Sequence, residues 1–446
     1  MAGTRRRTAV AGLALAVAAA GAVAVVSATN ALAATGCRVD YAVTSQTPGA
    51  FGARVTITNL GDQVSGWRLM WTYSAGQSVT QTRGGSHTQS GVQVTVTNGR
   101  TNGTIGTGGT AAVTLSGTWS GANPVPASFT LNGVACTGVV DAPAATPPAS
   151  YPNPGRVTGD TGAHDPTVVR APDGRYLLAT TGNNIALKTS TDRTAWRNAG
   201  AAFPGGAPWT SPYTGGSANL WAPDISYRNG QYYLYYSAST FGSQRSAIFL
   251  ATSPTAASGS WTHQGLIIES SNAVNYNAID PNLIVDQSGQ WWLSFGSFWS
   301  GIKMIRLDAG TGKRSTSDTA VRALATRTTA GGAVEAPVIH RRGGYYYLWI
   351  SFDRCCQGAA STYRVMVGRS TSVTGPYVDR NGTPLTSGGG TQVLAGHGSI
   401  HGPGHQAVLT DTDGDVLFYH YYANNGAALL GINLIGYDAA GWPFVY

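Results

Sequence analysis

Three carboxylates stand at nearly the same place in a phrase that the second half of the chain repeats. Asp165 and Asp280 each directly precede a proline, and Glu335 stands one residue earlier in its own copy. Glutamate is scarce, since Glu269 is the only other one in the sequence. A single Asp-Pro pair could simply cap a turn. Three acids at matched register in a repeat indicate instead a shared functional site.

Carboxylates that crowd together can divide the work of acid–base catalysis. They repel one another when ionised, so at least one of the three is expected to keep its proton near neutral pH. Hydrolysis of a glycosidic bond needs this division, because a protonated acid donates to the leaving oxygen while an ionised base activates water. A third carboxylate can raise the pKa of the donor and orient it. The many aromatic residues suit the same chemistry, since sugar rings stack on aromatic faces, although we assign most of them to packing.

The repeated phrase predicts the elements that position these acids. Each copy has a proline, a short β-branched run, a turn and an aromatic strand. The copies begin at Asp165, Ala222, Asp280, Ala336 and Gly404, and in the last one His405 stands where the others have proline. Successive copies are about 60 residues apart, a period typical of a β-propeller. We therefore predict an all-β protein with a five-bladed β-propeller over residues 157–446, whose first strands line the central axis.

A smaller all-β segment is predicted to precede the propeller. Between Cys37 and Cys136, short runs of alternating polar and apolar residues are separated by Gly, Asn and Ser, which predicts a β-sandwich over residues 34–138. Five prolines within residues 141–154 predict an extended linker over residues 139–156. Residues 1–33 have the three arginines, the apolar run and the Ala-Leu-Ala site of an export signal, so we expect a secreted, extracellular protein.

The four cysteines are consistent with an oxidising compartment. Cys37 and Cys136 bracket the predicted sandwich and are expected to form a disulfide. Cys355 and Cys356 are adjacent in the chain, and we predict a vicinal disulfide between them, with two free thiols as the alternative.

Charge and hydropathy exclude two classes of partner. The net charge is +8, but the basic residues are scattered without a stripe of Lys and Arg, so no nucleic-acid partner is expected. Beyond the export signal, no stretch is long and apolar enough to span a bilayer, so we expect no membrane association after signal cleavage. We expect a monomer.

Local motifs make the second segment resemble glycoside hydrolase family 43. The stretches around the acids are His164-Asp165-Pro166, Trp221-Ala-Pro-Asp224, Ala278-Ile-Asp280-Pro281 and Val334-Glu335-Ala-Pro337. Four more resemble the endo-acting α-1,5-L-arabinanases of that family: residues 239–243, 296–302, 352–358 and 396–405. The resemblance implies a five-bladed propeller that cleaves internal bonds of arabinan, a plant cell-wall polysaccharide, with inversion. The alternatives are an exo-acting α-L-arabinofuranosidase or β-xylosidase of the same family, or a non-catalytic propeller that only binds polysaccharide.

The same resemblance implies a role for each site residue. Asp165 would be the general base, Glu335 the general acid, and Asp280 the residue that tunes and positions the acid. The substrate-binding residues would be His164, Trp221, Phe241, Asn277 and Ser297.

The resemblance also implies that His405 holds a metal ion, usually calcium, on the propeller axis. Residue chemistry alone gives this little support, because calcium prefers oxygen ligands and a lone histidine offers only nitrogen. The alternative is that His405 forms hydrogen bonds in the core.

The first segment resembles carbohydrate-binding module family 2. Members that grip crystalline cellulose use three coplanar exposed aromatic residues, and those positions fall here on Thr47, Arg83 and Thr101. Because aromatic stacking would provide the platform, we expect weak cellulose binding or none. The module would then favour another polysaccharide or act as a spacer.

Overall fold

A computed structural model describes residues 36–47, 49–120, 123, 125–126, 128–136, 150–438 and 440–446. These residues form an all-β structure, as the sequence predicts. Helix is confined to α1 (Ser211–Thr214) and to short 3-10 segments at Pro208–Thr210, Ala330–Gly332, Gly358–Ala360 and Leu385–Ser387. The predicted export signal at 1–33 lies outside the described residues, as do residues 139–149 of the predicted linker. In the described part of the chain, no helix has the length and hydropathy to cross a membrane.

The first segment is a sandwich of two antiparallel sheets. Its strands are β1 (Cys37–Thr47), β2 (Ala50–Asn59), β3 (Val64–Ser65), β4 (Arg68–Thr72), β5 (Ser78–Arg83), β6 (Gly85–Ser90), β7 (Gln93–Asn98), β8 (Thr104–Ile105), β9 (Thr110–Thr118), β10 (Phe129–Leu131) and β11 (Val134–Ala135). One sheet has the order β1-β2-β9-β5, the other β11-β10-β4-β7-β6, and β3 pairs with β8. Alternate side chains fill the core between the sheets, including Trp67 and Trp71. A disulfide joins Cys37 to Cys136 and so ties the two ends of the segment.

The described residues of the second segment form five antiparallel sheets, with one short parallel pairing between β12 and β17. The first sheet comprises β12 (Thr158–Gly159), β13 (Thr167–Arg170), β14 (Tyr176–Thr180), β16 (Ala186–Ser190) and β17 (Ala195–Ala201). The second comprises β15 (Gly182–Asn183), β18 (Asn219–Arg228), β19 (Gln231–Ala238), β20 (Ser246–Ser253) and β21 (Thr262–Ser270). The third comprises β22 (Asn282–Val285), β23 (Trp291–Phe295), β24 (Ile302–Leu307) and β25 (Arg322–Ala325). The fourth comprises β26 (Val334–Arg342), β27 (Tyr345–Phe352), β28 (Arg364–Ser370) and β29 (Thr391–Leu394), and the fifth β30 (His401–Asp411), β31 (Gly414–Tyr422), β32 (Ala428–Tyr437) and β33 (Pro443–Val445).

One strand of each sheet faces its neighbours around a closed ring. Strand β13 contacts β18, β18 contacts β22, β22 contacts β26, β26 contacts β30, and β30 returns to β13. These are the strands that contain or directly follow the repeated proline phrase. Equivalent positions of the five repeats therefore converge, which brings distant residues into one site.

All five repeats share an unusual backbone conformation near the point where their inner strands converge. One residue in each has a positive φ, between +43° and +59°: Asp165, Ala222, Asp280, Ala336 and His405. A residue other than glycine rarely adopts this conformation, and it costs about 1–3 kcal/mol that the surrounding structure must offset. His405 therefore matches the residue before proline, and Gln406 takes the place of proline, so the sequence alignment of the fifth copy is wrong by one residue.

Hydrogen bonds from the preceding repeat hold this bend. The N–H of each positive-φ residue donates a hydrogen bond to a polar side chain of the preceding repeat. For the first repeat, the acceptor comes from the fifth repeat, which closes the ring. The acceptors are His420, Thr181, Ser237, Asp280 and Ser351. Because an unpaired buried N–H is costly, these five bonds stabilise the five bends.

Candidate active site

A cavity of about 620 Å³ opens where the five repeats converge. Every catalytic, substrate-binding and metal-binding residue predicted from the sequence lines it, together with the adjacent cysteines: Asp165, Glu335, Asp280, His164, Trp221, Phe241, Asn277, Ser297, His405, Cys355 and Cys356. These residues come from all five repeats and span more than 200 positions of the chain. The closed ring of strands thus brings residues that are distant in the sequence into one cavity.

Asp165 is surrounded by groups that favour its ionised form. The Thr181 hydroxyl donates a hydrogen bond of 2.5 Å to its carboxylate, and the Nδ1 atoms of His164 and His405 each lie 3.0 Å from a carboxylate oxygen. Burial by itself would raise the pKa of Asp165, but His164, followed by His405, outweighs burial and holds that pKa below its ordinary value. Asp165 is therefore a buried carboxylate that stays charged.

The histidines around Asp165 have different protonation states. Burial would lower the pKa of His164, but the charge of Asp165 and its hydrogen bond with His164 raise that pKa above its ordinary value. Burial lowers the pKa of His405 and drives that of His420 well below its ordinary value. His420 Nδ1 accepts the backbone N–H of Asp165 at 3.1 Å, which also requires that nitrogen to be unprotonated. The charged partner of Asp165 is thus His164.

Glu335 has the opposite electrostatic environment. Burial raises its pKa, and the negative charge of Asp165 adds to that effect. The hydroxyls of Ser297 and Tyr363 each donate a hydrogen bond of 2.7 Å to its carboxyl group. These bonds lower the pKa of Glu335 but do not cancel the effect of burial. Burial therefore favours the protonated form of Glu335, and the two hydroxyls hold its carboxyl group in a fixed orientation.

Asp280 is hydrogen-bonded to the backbone next to Glu335. Its Oδ2 accepts the N–H of Ala336, the residue that follows Glu335, at 3.0 Å. Burial raises its pKa well above the ordinary value, and the neighbouring acids Glu335 and Asp165 disfavour its ionised form further. Asp280 thus fixes the backbone beside Glu335. One ionised acid and one protonated acid in a single cavity can take and give a proton in the same reaction.

Aromatic side chains border the cavity on the solvent side. Phe241 is 86% exposed and Trp299 is 45% exposed, which is unusual for such large apolar groups. Trp221 is half-buried beside them. The sequence predicted Trp221 and Phe241 but gave no role to Trp299, although it lies in the stretch 296–302 that carried the family resemblance.

Three further residues of the site were also missed from the sequence: the buried His420 and Tyr363 and the half-buried Thr181. Thr181 and His420 hold Asp165, and Tyr363 holds Glu335. Tyr363 lies outside the repeated proline phrase, and none of the three is part of its proline and β-branched run. Thr181 and His420 occur just after or near the end of the second strand of their repeats, and this register is the only signal that could have identified them.

The adjacent cysteines form part of the cavity wall. The structure joins Cys355 and Cys356 in a disulfide, and each sulfur lies 3.7 Å from His164 Nε2. The Tyr422 hydroxyl lies 2.9 Å from the same nitrogen and accepts the N–H of Cys356 at 3.1 Å. The disulfide therefore packs against the imidazole that pairs with Asp165.

The sandwich segment shows no comparable aromatic surface. Thr47, Arg83 and Thr101 are all exposed, so the predicted positions face solvent as expected. Among the described residues of this segment, no Trp, Tyr or Phe is exposed, and only Trp119 is half-buried. A flat aromatic platform is thus absent from the part of the segment that the structure describes.

Known proteins resemble this chain over its second segment. The extracellular endo-α-(1→5)-L-arabinanase 1 of Bacillus subtilis strain 168 is 44% identical over 286 residues, which are 63% of this chain and 86% of that protein. The solved endo-arabinanase of Bacillus licheniformis is 44% identical with a TM-score of 0.61 and covers 65% of this chain and 99% of its own. An exo-1,5-α-L-arabinanase from a bovine ruminal metagenomic library is 39% identical with a TM-score of 0.61, over 65% of this chain and all of its own.

Family models match both segments. The model for the cellulose binding domain matches residues 37–136, which is the sandwich. The model for glycosyl hydrolases family 43 matches residues 155–443, which contain the five sheets and all three acids of the cavity. An enzyme that hydrolyses glycosidic bonds by acid–base catalysis requires the pair of carboxyl groups found there. The chain belongs to glycosyl hydrolases family 43.

Proposed function

We propose that this protein hydrolyses internal α-1,5-L-arabinofuranosidic bonds of arabinan with inversion of configuration. The observation that carries the proposal is that one cavity, bordered by exposed aromatic side chains, holds Asp165 against two histidines and Glu335 against two hydroxyls. The histidines favour the ionised form of Asp165, and burial favours the protonated form of Glu335. The arabinanase names of the relatives supply the substrate.

In the proposed reaction, Asp165 acts as general base and Glu335 as general acid. Asp165 removes a proton from a water molecule as its oxygen attacks the anomeric carbon on the face opposite the leaving group. Glu335 gives its proton to the leaving oxygen as that bond breaks. An inverting enzyme needs room for this water, so its two carboxyl groups are about 6.5–9.5 Å apart. Proton exchange with solvent then restores both groups for the next cycle.

Asp280 would serve as a positioning residue. It is buried beside Glu335, and its bond to the Ala336 N–H fixes the backbone that carries the acid.

One assay on debranched arabinan separates this proposal from its alternatives. The solution viscosity and the size of the products are followed together. Rapid loss of viscosity with mixed oligosaccharides supports endo action, whereas arabinose alone from chain ends would point to the exo-acting alternative that one relative represents. Release of xylose from xylan or xylo-oligosaccharides in place of arabinan products would indicate a β-xylosidase, and polysaccharide binding without any product would indicate a non-catalytic propeller.

Trp299 is proposed to stack on a sugar ring at the cavity rim. Trp299→Ala should raise KM for arabinan about 3- to 10-fold and change kcat less, because a stacked aromatic contributes ~0.5–1.5 kcal/mol to binding. Steady-state kinetics measures both constants. The matched control is Leu266→Ala, which removes an exposed apolar side chain on β21. An unchanged KM in Trp299→Ala would show that the indole does not contact substrate.

The alkaline limb of the pH profile should report Glu335. The reaction needs Glu335 protonated, so activity falls as pH rises through its elevated pKa. The Tyr363 hydroxyl stabilises the carboxylate form, so Tyr363→Phe should raise that pKa further and move the alkaline limb to higher pH. Tyr345→Phe, an exposed tyrosine on β27, is the control. A limb that moves to lower pH would contradict the assignment of Glu335 as the acid.

A calcium ion on the axis beside His405 remains a proposal. Calcium prefers six to eight oxygen ligands. The donor group found here consists of His164, Asp165 and His420, and His405 Nδ1 already faces Asp165. These residues do not fit a calcium ion held by protein ligands, because they offer too few oxygen atoms. Water would therefore have to fill most of the coordination shell of the ion. No step of the proposed reaction depends on it. If calcium does bind, dialysis against a chelator should lower Tm and added calcium should restore it. An unchanged Tm would count against a bound ion.

We further infer that the five sheets are the blades of a five-bladed β-propeller, because their inner strands contact one another in a closed ring.

The predicted export signal and the word extracellular in a relative's name support action outside the cell. Recovery of the processed protein from culture medium would test secretion. Light scattering after size-exclusion chromatography would test the predicted monomer.

A further inference from the structure

The outer face of the sheet β1-β2-β9-β5 carries an organised polar surface. Pairing across the four strands places Ser45, Gly52, Ser116 and Gln81 in one row, and Ala42, Arg54, Thr114 and Arg83 in the next. None of these eight residues is at a buried position of its strand. They alternate with the buried positions or follow the last of them, so they face outwards. We call these eight residues the arginine face.

A shallow cavity of about 200 Å³ lies over the first row and part of the second. Its floor depends on Gly52, because a Cβ at that position would come within 2.7 Å of the Ser45 hydroxyl. Around this floor, the side chains of Gln81, Arg83 and Ser116 offer hydrogen-bonding groups. The surface is thus a polar groove rather than a flat or apolar patch.

Two arginines on this face have no acidic partner among the described residues. Arg54 and Arg83 flank Thr114 from the two neighbouring strands, so their backbones are about 10 Å apart, two strand spacings. Both side chains are exposed, and neither forms an ion pair with any residue of the described structure. By contrast, Arg38 at the edge of the same sheet pairs with Asp40 at 3.0 Å.

The chemistry of this face favours a carboxylate ligand. A guanidinium group presents a planar fork of N–H donors that matches a carboxylate with two parallel hydrogen bonds. The face has no aromatic ring for stacking, so a neutral glucan would gain only hydrogen bonds that water also supplies. Residues 37–136 contain five arginines, two aspartates and no lysine or glutamate, so the segment as a whole also attracts anions.

We propose that the arginine face binds an acidic polysaccharide whose sugars carry carboxylates. Arg54 and Arg83 each bind the carboxylate of one uronate residue. The groove over Gly52 accepts a neighbouring sugar of the same chain. This site lies on the sandwich and is independent of the proposed hydrolysis in the second segment.

The test uses the full chain and polygalacturonate as probe, with binding measured by calorimetry at about 0.1 M ionic strength. The double variant Arg54→Ala/Arg83→Ala should bind at least about tenfold more weakly than the unchanged protein. Arabinan hydrolysis by that variant should be unchanged, which separates this site from the active site. Fully methyl-esterified polygalacturonate should bind weakly to all forms, because its carboxylates are blocked.

A charge-matched control guards against general attraction between a basic protein and a polyanion. Arg68→Ala/Arg100→Ala removes two exposed arginines outside the arginine face and should keep affinity within about twofold. Equal losses in both double variants would overturn the proposal, as would equal binding of the methyl ester. Tight binding of microcrystalline cellulose by the unchanged protein, lost in Arg54→Ala/Arg83→Ala, would instead assign the face to neutral glucan.

Discussion

Glu335→Gln should lower kcat on arabinan about 10²- to 10⁴-fold, the usual contribution of a general acid. Glutamine has almost the same shape but cannot donate a proton of suitable acidity to the leaving oxygen. The Ser297 and Tyr363 hydroxyls bond different oxygens of the carboxyl group. In the variant one hydroxyl can still donate to the amide oxygen and the other can accept from the amide NH2, so the fold and Tm should change little. Steady-state kinetics and a thermal melt of the same preparation measure the two effects.

The control for this variant is Glu269→Gln. Glu269 is the other glutamate of the chain, is exposed on β21 and accepts a hydrogen bond from Tyr213 outside the cavity. It should keep full activity. An arabino-oligosaccharide with a nitrophenolate leaving group adds a sharper test, because such a group departs without a proton. Glu335→Gln should lose much less activity on that substrate, and an equal loss on both substrates would refute its role as the acid.

Asp165→Asn should lower kcat by a similar factor of about 10²- to 10⁴-fold, for the opposite chemical reason. Asparagine cannot accept the proton of the attacking water, and it removes the negative charge that His164 and His405 now face. Asp173→Asn, at an exposed turn of the same repeat, is the control and should behave like the unchanged protein.

Azide gives this second variant a specific readout. As a nucleophile that needs no base, azide should attack the anomeric carbon of the Asp165→Asn variant while Glu335 protonates the leaving oxygen. Activity should partly return, and NMR of the product should show an arabinosyl azide of inverted configuration. A product of retained configuration would refute this role, because it would mean that azide attacked a covalent intermediate formed on another residue. The anomer that the unchanged enzyme releases first separates a base, which gives inversion, from a nucleophile, which gives retention.

Much of the site could be predicted from the sequence because the repeat makes distant positions comparable. Once five copies are laid in register, Asp165, Asp280 and Glu335 appear as departures from a common pattern, and the structure places all three in one cavity. The fifth copy was misaligned by one residue because it lacks the proline that marks the register in the others. The positive φ of His405 shows that His405, and not Gln406, matches the residue before proline in the other copies.

The sequence itself determined the all-β fold, the repeat and the three acids, because these depend on local periodicity and residue type. Only the tertiary structure decided which acid carries charge, since that depends on groups from other repeats. His164 and Thr181 from the first repeat and His405 and His420 from the fifth surround Asp165. Glu335 instead meets the hydroxyls of Ser297 and Tyr363 in a buried setting. A pKa follows from desolvation and neighbouring charge in three dimensions, which spacing along a chain does not specify.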